Sequence, residues 1–185
     1  MNNQSILRYG AVAAVVSAAL YIVSIALWMS AGVADTPPPA AGTAYAVSSI
    51  VFLATLFALY TVHRGEAPGL SLVAVLLLAV SMVASLFIDP TNLSNPLVLI
   101  LTACYGVGAL LLGWLAYRSP RLPNGTGILA LLMGILTLIM IPFIVAGSAD
   151  LVGIFNLIVG LLYVVWLLWL AWVFFRGTAA AVQAA

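Results

Sequence analysis

Apolar residues in this chain form long unbroken runs, separated by short stretches that hold most of its prolines and charges. A helix needs roughly 20 apolar residues to cross a hydrocarbon core of ~30 Å. Six runs meet that demand, at 11–29, 44–62, 70–88, 97–117, 127–146 and 151–175. Breakers sit between them: Pro37, Pro38 and Pro39, then Gly65, Pro68 and Gly69, then Pro90 and Pro96, then Pro120, Pro123 and Gly125. The fifth junction holds only Gly147-Ser148-Ala149-Asp150, so the last two runs must form a tight antiparallel hairpin. The runs lack the polar–apolar alternation of a transmembrane strand, which excludes a β-barrel. The pattern predicts an all-α polytopic bundle of six spans, one transmembrane domain over residues 1–185 with no soluble domain.

Composition strengthens that reading. The chain is 66% hydrophobic and 5% charged, with a mean hydropathy of +1.30, against roughly 45–50% and about 25% in soluble domains. A globule of 185 residues still exposes much of its surface to water and cannot hide such a deficit of charge. A soluble monomer and a disordered chain are therefore excluded. Nucleic acid is excluded as a partner, since the net charge is only +1.

The few charges orient the bundle. With six spans and a cytoplasmic N-terminus, Arg8, Arg64, Arg118, Arg121 and Arg176 all lie on one side. Asp35, Asp89 and Asp150 lie on the other, and only Glu66, beside Arg64, breaks the separation. This is the positive-inside pattern, and it places both termini in the cytoplasm. All basic residues being arginine, with an Ala, Val, Gly and Leu bias, points to a GC-rich bacterial genome and hence to the bacterial inner membrane. Arg8, the first apolar run and Gly32 and Ala34 before Asp35 also fit a cleavable secretory signal. The run of about 19 residues exceeds a typical signal core, so a true first helix is expected.

In lipid, helices associate through small residues that let backbones approach. Such residues recur every seventh position: Gly10, Ser17, Ser24 and Ala31, then Ala74 and Ser81, then Gly106 with Gly113, Gly127 with Gly134, and Gly153 with Gly160. A seven-residue interval keeps each set on one helix face. The glycine pairs predict that spans four to six form a tight unit. The second and third spans with their loop also echo the fourth and fifth, with Tyr60 and Arg64 against Tyr117 and Arg118. Transporter repeats produce such echoes, and so do shared topology rules.

Candidate chemistry is sparse. Pro142 interrupts the fifth span and frees the carbonyl of Leu138; either a kink opens a cavity or Thr137 or a neighbour patches it. Asn156 is the most polar side chain well inside a span. With Asp89 and Asp150 it would form an oxygen-lined ligand site at the outer mouth. The simpler alternative has the aspartates capping helices in water and Asn156 bonded to a neighbouring helix. Trp166, Trp169 and Trp172, next to Arg176, read as membrane-interface anchors, and Trp28 and Trp114 fit the same role. A lone His63 at a span end is expected to be solvated.

Enzyme chemistry finds no footing. Without lysine there is no Schiff base and no phosphate-binding Gly-Lys loop. One histidine excludes a His-Glu-x-x-His zinc site and a bis-histidine haem. The aspartates lie at span ends, so no buried dyad forms. Cys104 has no partner for a disulfide. Neither a metal nor a cofactor is implied.

The six-span layout, Arg121-Leu122-Pro123 followed by Gly127, and the Trp-rich last span resemble uncharacterised six-helix bacterial integral membrane proteins. The layout is also similar to the substrate-capture subunits of energy-coupling-factor vitamin transporters, with Ala14 and Ala18 in a small-residue first helix. That resemblance implies ligand capture and partner subunits, while the short outer loops depart from it. The leading expectation is a non-enzymatic accessory or scaffold subunit that packs against other membrane chains or its own copies. The alternative is a binding or transport protein for a small solute or lipophilic ligand, with its site in the outer half. A third, an oligomeric channel, has only Ser48 with Thr55 and Ser81 with Ser85 to line it.

Overall fold

The computed structural model describes residues 3–31, 38–89 and 92–176. Gly32, Ala34, Asp35, Pro37 and Pro90, which entered the readings above, lie outside the described residues. The elements are α1 (Asn3–Ser30), α2 (Pro39–His63), α3 (Pro68–Ala84) extended by a 3₁₀ turn (Ser85–Phe87), α4 (Pro96–Arg118), α5 (Asn124–Val145) and α6 (Ala149–Arg176). All six helices are long and apolar enough to cross a membrane, and no strand occurs among the described residues. Pro39, Pro68 and Pro96 each stand in the first turn of a helix, where a missing N–H costs nothing. The Asn95 side chain caps α4 by accepting from the Leu97 N–H at 3.0 Å. Gly147, at φ +69°, turns the chain between α5 and α6.

Each helix packs against its neighbours in sequence, and α6 closes on α1, so the bundle is a ring. Neighbours run antiparallel. Along α1–α2, Gly10 meets Thr55 and Ala58, Ser17 meets Ser48, and Ser24 donates to the Ala41 carbonyl at 2.9 Å. The small-residue stripe of α1 thus faces α2, as its spacing predicts. Ser17 and Ser48 exchange hydroxyl-to-carbonyl bonds of 3.0 and 2.8 Å. On α3, Ser81 donates to the Leu101 carbonyl of α4 at 2.9 Å, and Ala74 abuts Gly108.

The glycine pairs of α4 and α5 interlock. A Cβ on Gly113 would lie 2.6 Å from the Leu131 nitrogen, and one on Gly134 would lie 2.8 Å from the Leu110 nitrogen. Gly127 lies directly against the Tyr117 backbone. Helix α6 packs on α5 as well, but its glycine pair does not make that contact. Gly160 packs on Tyr21 of α1, and a Cβ on Gly153 would meet nothing within 4 Å among the described residues. The stripe on α6 serves the ring closure because the neighbour at that face is α1. Ala14 and Ala18 are also buried inside the bundle, so they offer no surface to a partner.

The two ends of the ring differ. Arg64, Arg118, Arg121 and Arg176 mark one, the arginine end; Asp89 and Asp150 mark the other, the aspartate end. Towards the arginine end, Leu56, Leu59, Leu112, Met133, Leu170 and Phe174 fill the interior. Trp28, Trp114, Trp169 and Trp172 are exposed, and the Arg118 and Arg176 guanidinium groups lie over Trp114 and Trp172 at 4.8 and 4.3 Å. Trp166 departs from the expected anchor row. It is 3% exposed, and its indole N–H donates to the Thr126 carbonyl of α5 at 3.0 Å. A three-residue spacing advances by less than one turn, so the row winds around α6 and its first member turns inward.

Candidate functional site

In the aspartate half of the ring hydroxyls mix with apolar side chains such as Met82, Leu101 and Met140, and a cavity of about 180 Å³ opens between all six helices. Tyr21, Tyr45, Tyr105 and Tyr163 surround it, with Ser48, Ser49, Ser81, Ser85, Thr102 and Thr137 between them and Asn156 at one side. None of the lining residues carries a charged group.

Its floor is rigid. Tyr163 stands edge-on to Tyr21 and Phe52, with ring centroids 5.2 and 5.3 Å apart, and Phe52 stands edge-on to Trp166 at 6.2 Å. The Tyr163 hydroxyl lies 3.2 Å from Ser17 Oγ, whose proton is given to the Ser48 carbonyl, so the tyrosine is the donor. Several wall groups are likewise engaged. Tyr45 pairs with Ser85 at 3.2 Å, while Thr102 and Thr137 bond back to the carbonyls of Val98 and Met133. The Tyr21 and Tyr105 hydroxyls, Ser49 Oγ and the Asn156 amide belong to lining residues and make no hydrogen bond among the described residues, so the lining holds both free donors and free acceptors.

Of the three residues expected at the outer mouth, only Asn156 lines the cavity. Asp150 is exposed in the first turn of α6, where its charge suits the helix N-terminus. Asp89 is exposed beyond the 3₁₀ turn and is not among the lining residues. Pro142 is exposed on α5; the Thr137 hydroxyl bonds to Met133, so it does not patch the Leu138 carbonyl. Tyr21, Tyr45 and Tyr105 escaped the sequence reading because each is a lone aromatic in an apolar run, and Tyr163 reads only as the head of the tryptophan row. Only their shared level on α1, α2, α4 and α6 brings them together.

A second polar cluster closes the arginine end. Arg121, before α5, reaches the α2–α3 turn: its Nε lies 3.3 Å from Glu66 Oε1, and its Nη1 donates to the Val62 carbonyl at 2.9 Å. Ser119 donates to the same Glu66 oxygen at 3.0 Å. The one acid on the arginine side is thus held by an arginine of another loop. Beneath it His63 is 0% exposed, with Nδ1 3.5 Å from Glu66 Oε2. The expected solvated histidine is therefore buried, because the two loops clasp over it. Arg121→Ala is expected to lower stability by about 1 kcal/mol, since the pair is partly exposed and the Val62 carbonyl loses a charged donor. Thermal unfolding in detergent checks this, and Glu66→Gln should lose less because its amide oxygen still accepts.

Searches for a matching family model, a similar curated protein and a similar solved structure each found no match.

Proposed function

We propose that the chain is a multi-pass protein of the bacterial inner membrane, arginine end in the cytoplasm, that binds a small uncharged molecule in the tyrosine-lined cavity. The observation that carries this reading is the cavity itself. Hydroxyl and amide groups without a protein partner line one space inside an apolar bundle, and where such a group is cut off from water the cost is roughly 1–3 kcal/mol. A ligand with its own donors and acceptors recovers that cost. With no ionised group in the lining, the bound species is neutral, because an unpaired charge in a low-dielectric interior is penalised far more. Binding or transport suits this lining better than catalysis, since no side chain there is placed as an acid–base or nucleophilic pair. The scaffold reading rests only on apolar outer faces, which lipid covers equally well.

Ser49→Phe fills the cavity from α2. The test is a thermal-shift screen of uncharged alcohols, phenols and amides on the purified chain. A compound at a hundred times its Kd should stabilise the native protein by about 2.7 kcal/mol. The Ser49→Phe variant should show none of that gain. If every stabilising compound acts equally on both proteins, the reading is wrong.

Orientation has its own check. In a Cys104→Ala background, a membrane-impermeant maleimide applied to intact cells should label Ser94→Cys and spare Asn124→Cys. Both positions are exposed, one at each end of the ring. The reverse labelling would invert the topology.

A further inference from the structure

On the α1–α6 side of the cavity, contact between the two helices is lost towards the aspartate end. Helices α1 and α6 are in close register from the arginine end upward. Phe174 lies 3.6 Å from where a Gly10 Cβ would stand, Tyr163 is 3.2 Å from Ser17, and Gly160 abuts Tyr21. Two turns further along the same face of α6, the contact ends. A Cβ on Gly153 would meet nothing within 4 Å among the described residues, and on α1 Trp28 is exposed. Ser24 is turned away to the Ala41 carbonyl of α2. Between Gly153 and Gly160 stands Asn156, which both lines the cavity and is exposed. Among the described residues the two helices thus lose contact above Tyr21, with Asn156 at the edge of that separation.

Size restricts what passes. A volume of about 180 Å³ falls short of the roughly 300–1,000 Å³ of pockets that enclose drug-sized ligands. A larger molecule can place only one end inside. Outside the gap the α6 surface is Ile154, Leu157, Ile158 and Leu161, all exposed and apolar.

We propose that the cavity takes the uncharged, hydrogen-bonding head of a membrane-dissolved lipophile, whose apolar tail leaves between α1 and α6 past Gly153 and Asn156. This rests on the reading of the cavity as a ligand site. The tail remains in the hydrocarbon, where it costs nothing to keep, and the head exchanges lipid for Tyr21, Ser49, Tyr105 and Asn156. The opening selects for chain-bearing alcohols, carbonyl compounds or amides and against ions.

The test uses the full chain in phosphatidylcholine vesicles and a diazirine-bearing hexadecanol as photoprobe. Crosslinking should map to α1 and α6 and fall about tenfold with excess hexadecanol. Hexadecanoate at pH 9 should compete poorly. Gly153→Trp, which plugs the gap without touching the lining, should cut crosslinking about tenfold; Gly153→Leu replaces it where the tryptophan variant does not fold. Ser49→Phe should do the same from inside. Loss in Ser49→Phe with full crosslinking in the Gly153 variant overturns the side opening and leaves the cavity reading standing. Full crosslinking in both variants overturns the two together. Competition by benzyl alcohol alone, with no effect of hexadecanol, assigns the site to a small solute and also overturns this proposal.

Discussion

Gly127→Val is expected to cost about 3 kcal/mol, the upper part of the range for forcing side-chain volume into a packed site. The reason is what the new atoms would strike. A Cβ at this position meets the backbone nitrogen and Cα of Tyr117, not the tip of a flexible side chain. No rotamer change relieves it; α4 and α5 must move apart. Separation would propagate along the same face, because Gly113, Gly134 and Gly106 all lie within the same interlocked contact. Gly153→Ala is the matching control. Among the described residues nothing lies within 4 Å of its Cβ, so the substitution should stabilise by up to about 1 kcal/mol through helix propensity alone. Unfolding of the two variants in detergent, by circular dichroism at the helix band, checks both. Equal behaviour would mean that the α4–α5 contact is looser than described.

Trp166→Ala is expected to cost about 3 kcal/mol or more, and Trp169→Ala about a third of that or less. Both residues are tryptophans near the arginine end of α6, separated by less than a turn. Trp166 is enclosed by the core, stands edge-on to Phe52 and satisfies the Thr126 carbonyl. Truncation removes a large packed ring and an interhelical hydrogen bond and leaves a void. Trp169 is 41% exposed, and its loss leaves mainly an altered surface beside Gly125. Trp166→Phe separates the contributions, since it keeps most of the ring and deletes only the N–H. It should lose about 1 kcal/mol. The comparison uses the same unfolding measurement, and equal losses at positions 166 and 169 would contradict the inward placement.

These cases show why some features were legible in the sequence and others were not. A helix long enough to cross a bilayer is a local property: twenty apolar residues between breakers suffice, whatever surrounds them. The heptad of α1 was readable because one facing helix, α2, meets Gly10, Ser17 and Ser24 in turn. Gly153 and Gly160 obey the same interval, yet one packs and the other stands open. Spacing defines a face but not the distance to the neighbour.

The polar sites follow the same division. Asp89 and Asp150 drew attention as charges at span ends, and charges are what stand out in an apolar chain. The cavity is lined instead by neutral hydroxyls set among apolar side chains such as Met82, Leu101 and Met140, individually ordinary in a membrane-type helix. Likewise Glu66 and Arg121 belong to separate loops, and no periodicity links residues of different turns.

Hydropathy and the breakers between apolar runs were enough for the number of helices, their approximate limits and the sorting of arginines from aspartates. Each of these depends on the transfer energy of contiguous residues, which is additive along the chain. The ring closure of α6 on α1, the burial of His63 and Trp166, and the level at which four tyrosines meet came only with the packed structure. They depend on rotation and approach between helices distant in sequence, and those are set by steric fit across the whole bundle.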